Sequence, residues 1–270
     1  MQEMYCSYKR SNIAYLQGGT GTRVLLCLHG FGESANSFRF LEAELGDRFT
    51  IYAVDLPWHG DTRWEEELAL TPETFLTVLK DMIPGFETRS ITLLGYSMGG
   101  RVALQLLQRF PAQVEQLVLL APDGLTLNPW YYLATQTRWG NRLFRFTMNH
   151  PRWFQQLADL LNRTRCLNRS IAKFVHHYTD RPAVREHLYR VWTTMRAFRP
   201  DLKTIQQEIR NRQIPVALVF GKYDRIIASK NGRKFQQGAE SFITVHELQE
   251  GHQLLRPKHR DFIISLLQQV

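Results

Sequence analysis

Gly95-Tyr96-Ser97-Met98-Gly99-Gly100 is the segment from which the fold can be read. It satisfies the spacing G-x-S-x-G. An apolar run, SITLLG at 90–95, precedes it, and a stretch with helical apolar spacing, 98–109, follows it. A serine in so tight a strand-to-helix turn is forced into a strained backbone conformation that exposes its Oγ. Glycines at 95 and 99 leave room where a Cβ would strike neighbouring elements. The helix that starts at once after Ser97 turns unpaired N–H groups and a partial positive charge towards the hydroxyl.

Similar runs lie on both sides. RVLLCLH (23–29), FTIYAVDL (49–56), VEQLVLLA (114–121), PVALVF (215–220) and FITVHEL (242–248) are short and apolar, and most close on Gly or Pro. Near-continuous apolar runs suit parallel strands covered on both faces. Helical spacing at 35–45, 72–83, 98–109 and 257–269 falls between or after them. Strand–helix alternation predicts an α/β fold with a doubly wound, mostly parallel sheet. The start of the chain, around Ser11-Asn12, fits an antiparallel edge hairpin.

The rhythm breaks in the middle. From 123 to 212 the patterns, among them LADLLNR, IAKFVHHY and REHLYRVWTTM, are helical, and no convincing strand appears. This divides the chain into a core at 1–122 and 213–270 and a helical insertion at 123–212. The chain carries 34 basic and 25 acidic residues, a net charge of +9. Residues 122–212 alone hold 16 basic and 6 acidic residues. The basic excess therefore belongs to the insertion. It fits a solvated outer face, an anionic substrate or peripheral contact with lipid; without a binding motif it does not suggest nucleic acid. The aromatics Trp130, Trp139 and their neighbours up to 154 suit the lining of a pocket for an acyl or aryl group.

At 270 residues, 44% hydrophobic and 22% charged, the composition is that of a globular protein. It excludes a disordered chain and a disulfide-stapled mini-domain, and since the sequence has no run of about 18 apolar residues a membrane span is not expected. Cys6, Cys27 and Cys166 show neither redox nor zinc spacing. The first residues lack the apolar core of a signal peptide, so a cytoplasmic location is expected.

A serine needs a base within hydrogen-bond reach and a third group to orient that base. Of nine histidines, His252 fits best, in the loop after the last predicted strand beside Gly251. His246 falls within a strand, His259 in the final helix, and His176 and His177 in the insertion. Asp224, in the loop after PVALVF, is the preferred acid by chain order, and Asp123 is its rival. The N–H groups of Met98 and Phe31 are the expected oxyanion donors. His29 is expected to brace the loop 29–34 rather than react.

With HGFGES (29–34), DLPWHGDT (55–62), GYSMGG (95–100), GKYDRII (221–227) and EGHQLLRP (250–257) together, the chain resembles the α/β-hydrolase superfamily. The resemblance implies Ser97 as nucleophile, Asp224 as acid, His252 as base, and a lid formed by the insertion. It implies a small-molecule substrate, and it requires no metal or organic cofactor. The sequence departs from the pattern at Trp58, where glycine is usual. Arg101 after the double glycine resembles the menaquinone-pathway synthase branch, which performs a lyase reaction with the same triad. Arg101, with Arg138 and Arg142, is a candidate for binding an anionic substrate. The expected activity is cleavage of a carboxylic ester or thioester through an acyl-enzyme. The alternatives are a lyase or carbon–carbon hydrolase on an acidic substrate, and a non-catalytic binding protein on the same fold.

Overall fold

A computed structural model of the chain describes residues 1–66, 69–126, 129–164, 175–176 and 178–268. Cys166, His177 and positions 171–174 of the IAKFVHHY pattern lie outside the described residues.

The apolar runs form one eight-stranded sheet in the order β1-β2-β4-β3-β5-β6-β7-β8. The strands are β1 (Gln2–Tyr8), β2 (Ser11–Gly18), β3 (Arg23–Leu28), β4 (Phe49–Val54), β5 (Ile91–Tyr96), β6 (Val114–Leu120), β7 (Val216–Gly221) and β8 (Ile243–Leu248). The edge hairpin β1–β2 is antiparallel and joins the sheet antiparallel to β4. All pairings from β4 through β8 are parallel. Strands β3, β5, β6 and β7 are almost wholly buried, as expected for strands covered on both faces.

From β3 the chain moves out to β4, then returns to lay β5 on the other side of β3. Strand order therefore reverses between β3 and β5. The loops at the carboxyl ends of two such strands diverge and leave a crevice for ligands. Here those loops are residues 29–34 and the turn at Ser97.

The helices follow the sequence pattern with two differences. The stretch 35–45, expected as one helix, is a 3-10 turn at Ala35–Leu41 followed by the short α1 (Glu42–Leu45). The buried Asp55 carboxylate accepts from the Ala35 N–H at 2.6 Å, so a tertiary contact anchors this entry. Helix α2 (Pro72–Met82) is capped by the Thr71 side chain, and α3 (Met98–Arg109) follows Ser97 directly.

The second difference concerns the boundary of the insertion. The chain divides into two compact units, Met1–Thr126 with Ala197–Val270, and Leu127–Arg196. The second unit contains α4 (Pro129–Gln136), α5 (Arg138–Asn149), α6 (Arg152–Arg163) and α7 (Pro182–Thr194). It includes a half-buried cluster of Tyr131, Phe144, Tyr189 and Trp192 rings. Helix α8 (Leu202–Arg212), read from sequence as part of the insertion, belongs to the first unit. The side chains of Gln105 and Gln108 on α3 accept from the backbone N–H groups of Arg199 and Asp201 and hold its approach. The first unit ends with α9 (Ser229–Gln236) and α10 (Arg260–Leu267).

Candidate active site

Ser97 has φ 49° and ψ −113°, a left-handed conformation that an L-residue adopts only at a cost. The sheet and the following helix hold it there. Its N–H donates to Leu120 O at 2.9 Å, and its carbonyl accepts from Gly100 and Asp123 N–H groups, each at 2.9 Å. A Cβ at Gly99 would lie 2.0 Å from Leu28 O, and one at Gly95 would lie 2.7 Å from the Gly100 Cα. The two glycines thus let β3, β5 and α3 close together beneath the serine.

His252 and Asp224 come from the loops after β8 and β7. Backbone bonds couple these loops: Lys222 N–H to Leu248 O and Tyr223 N–H to Glu250 O, both 2.8 Å. His252 Nε2 lies 3.0 Å from Ser97 Oγ, and His252 Nδ1 lies 2.7 Å from Asp224 Oδ2. The Asp224 side chain is fully covered. Burial works against its charged form. Bonds from His252 and from the Ile227 and Ile226 amides outweigh burial and hold the carboxyl below the usual carboxylate range. An ionised Asp224 favours the imidazole tautomer with the proton on Nδ1, leaving Nε2 to accept from Ser97.

The loop after β3 lies against the same serine. A Cβ at Gly30 would come within 3.2 Å of Ser97 Cβ and 2.9 Å of the Tyr96 ring. His29 is wholly buried beneath it. Its Nδ1 bonds the Gly30 carbonyl at 2.8 Å, and its Nε2 accepts from Leu56 N–H at 3.0 Å. Burial lowers its pKa to about 4, so the ring is neutral and serves as a brace. Phe31 packs edge-on against His59. The Met98 N–H sits in the first turn of α3, where no intrahelical acceptor exists.

Asp123 engages other partners. Its Oδ2 lies 3.5 Å from Nε of the buried Arg101, and its Oδ1 accepts from Gly124 N–H. Arg101 is thus turned into the protein against a carboxylate. Trp130 and Trp139 belong to the second unit and are 77% and 83% exposed. His246 lies on β8, paired with Val219, and His176 bonds Asp159 and Asp180.

Two residues near the site, Asp55 and Tyr96, were not singled out from sequence, and the departure noted at Trp58 finds its reason in the structure. Asp55 ties the loops together by accepting from Ala35 N–H and from Asp61 N–H at 3.0 Å. Burial raises its pKa, partly offset by these two donors. Its position at the end of β4 within DLPWHGDT was the available signal. Tyr96 sets its ring beside His252 and donates its hydroxyl to the His252 carbonyl at 3.2 Å. Trp58 has φ 68°, which explains why glycine suits this position of the motif.

Together the sheet, the strained turn and the Ser–His–Asp hydrogen-bond chain define an alpha/beta hydrolase. The chain belongs to the alpha/beta hydrolase family, whose sequence profile matches residues 25–262. It is 26% identical over 249 residues to the uncharacterized hydrolase YugF of Bacillus subtilis, covering 91% of this chain and 88% of that protein. It is 27% identical over 253 residues to Esterase Rv0045c of Mycobacterium tuberculosis, covering 91% and 82%. Three further mycobacterial relatives match over 113 residues only, a third of their own length. A malate-bound esterase from Thermogutta terrifontis shares the fold, with TM-score 0.67 and 20% identity over 99% of this chain and 98% of that one. Among the described residues, no helix is long and apolar enough to cross a membrane.

Proposed function

We propose that this hydrolase cleaves a carboxylic ester or thioester through an acyl-enzyme on Ser97. The observation that carries the reading is the continuous hydrogen-bond chain from Ser97 Oγ through His252 to Asp224, at 3.0 and 2.7 Å. His252 Nε2 takes the Ser97 proton as Oγ attacks the carbonyl carbon. Asp224 keeps the imidazole in the required tautomer and stabilises the imidazolium. The N–H groups of Phe31 and Met98 receive the oxyanion. The imidazolium returns its proton to the leaving alcohol or thiol. Water then attacks the acyl carbon as His252 takes its proton, and the imidazolium returns that proton to Ser97 Oγ as the acid departs. Each proton moves between Ser97, His252, water and substrate, so the cycle requires no metal or organic cofactor.

That a relative matched over 82% of its length is an esterase by name supports this reaction class. The lyase alternative depends on a cationic pocket contact from Arg101, and the burial of that side chain against Asp123 weighs against it. The hydrogen-bonded chain likewise weighs against a purely ligand-binding role.

The test is an initial-rate series of p-nitrophenyl esters of increasing acyl length, with wild type and Ser97→Ala. The proposal expects turnover in wild type, an optimum in acyl length, and loss of turnover in the variant. Equal turnover by both proteins would overturn it.

A further inference from the structure

We propose that α5 and α6 form a peripheral docking face for anionic phospholipid surfaces, independent of the reaction assigned to Ser97. The observation is a repeated pattern that packing of the second unit leaves exposed. On α5, Trp139, Leu143 and Phe146 fall at i, i+4 and i+7, and all three are exposed. Residues at this spacing share one side of a helix. Arg138, Arg142 and Arg145 precede them one by one and form a parallel exposed stripe.

Helix α6 repeats the apolar part of the arrangement. Trp153, Leu157 and Leu160 take the same i, i+4 and i+7 positions and are exposed, with exposed Arg152 and Arg163 on the flank. The two apolar stripes meet: Phe146 and Trp153 line one open depression of about 1010 Å³ together with His150, Pro151 and Arg152. Residues 129–163 contain five arginines and one carboxylate, Asp159. That carboxylate is engaged by His176 at 2.9 Å.

Helices that lie in a membrane interface carry apolar and aromatic residues on one side and cationic residues beside them. The cations meet anionic headgroups while Trp and Phe enter the boundary with the acyl chains. Another protein surface or a second copy of this chain would cover the apolar stripes, but the arginine stripe along α5 and the arginines at the two ends of α6 match the layered charge of an anionic bilayer.

The test is co-sedimentation of the full chain with phosphatidylcholine vesicles, with and without phosphatidylglycerol. Wild type should sediment with the phosphatidylglycerol vesicles and be released by high salt. Trp139→Ser combined with Phe146→Ser should weaken binding about tenfold or more. Arg138→Gln, Arg142→Gln and Arg145→Gln together should weaken it by a similar factor or more and abolish the preference for anionic lipid. Circular dichroism checks folding; if the apolar double variant unfolds, the exposed-arginine triple variant decides. The proposal is overturned if wild type stays in the supernatant with anionic vesicles. It is equally overturned if folded variants bind as wild type, or if the face instead mediates self-association seen by sedimentation velocity without vesicle binding.

Discussion

His252 Nε2 stands 3.0 Å from Ser97 Oγ although 155 positions separate them along the chain. The contact exists because β5 and β8 both end on the same edge of the parallel sheet. The coupled loops after β7 and β8 then carry His252 back towards the turn after β5. Asp224 closes the arrangement from the far side of the imidazole.

Asp224 and Asp123 are distinguished by their partners, and kinetics should separate them in the same way. Asp224→Asn is expected to lower kcat by about 10³–10⁴ with little change in KM, because the amide favours the wrong imidazole tautomer. Asp123→Asn should leave kcat within a few-fold of wild type. Steady-state kinetics on the best p-nitrophenyl ester checks both. Loss of kcat confined to the Asp123 variant would reverse the assignment.

The tightest backbone approach at the site is at Gly99. Gly99→Ala would drive a methyl to 2.0 Å from Leu28 O and 2.7 Å from His29 O. Both are backbone atoms, so neither β3 nor α3 can yield by a side-chain rotation. The expected loss is about 3 kcal/mol or more of unfolding free energy. Urea denaturation of wild type and variant measures it.

The buried His29 predicts a pH dependence of stability. An unfolded chain binds a proton on this histidine near pH 6.5, and the folded chain binds it only near 4. Between these values the unfolded state holds more protons, so stability falls as pH drops. The contribution is fully present above about pH 6.5 and amounts to about 3 kcal/mol lost by pH 4. Unfolding free energies measured from pH 7 to 4 should therefore fall less steeply in His29→Gln than in wild type. Equal slopes would remove His29 as the source.

Asp55 should matter for stability and for the loop beside Ser97. Asp55→Ala leaves the Ala35 and Asp61 N–H groups without their carboxylate. A cost of about 2–3 kcal/mol is expected. Because the 29–34 loop leads into Ala35, kcat should fall as well, which thermal denaturation and ester kinetics read separately.

Much of this was legible in the sequence for a physical reason. Parallel strands buried on both faces leave unmistakable apolar runs, and the G-x-S-x-G turn tolerates few alternatives between a strand and a helix. The glycines at 95 and 99 announced close backbone approaches that the structure contains. Other features depend on contacts between residues far apart in the chain. The 3-10 turn at Ala35 is anchored by Asp55, twenty positions on. Helix α8 looks like any helix of the insertion until Gln105 and Gln108 are seen holding its approach from more than ninety positions away. Aromatic content marked Trp139, but only packing reveals that its ring faces outward while Phe144 turns in.

The central claim is that Ser97 is the nucleophile, and covalent labelling tests it most directly. The protein would be treated with a fluorophosphonate, and the adduct located by intact-mass measurement and peptide mapping. The account predicts one adduct per chain, on Ser97, absent from Ser97→Ala and slowed strongly in His252→Ala. An unlabelled wild type, or a label that persists in Ser97→Ala, would contradict it.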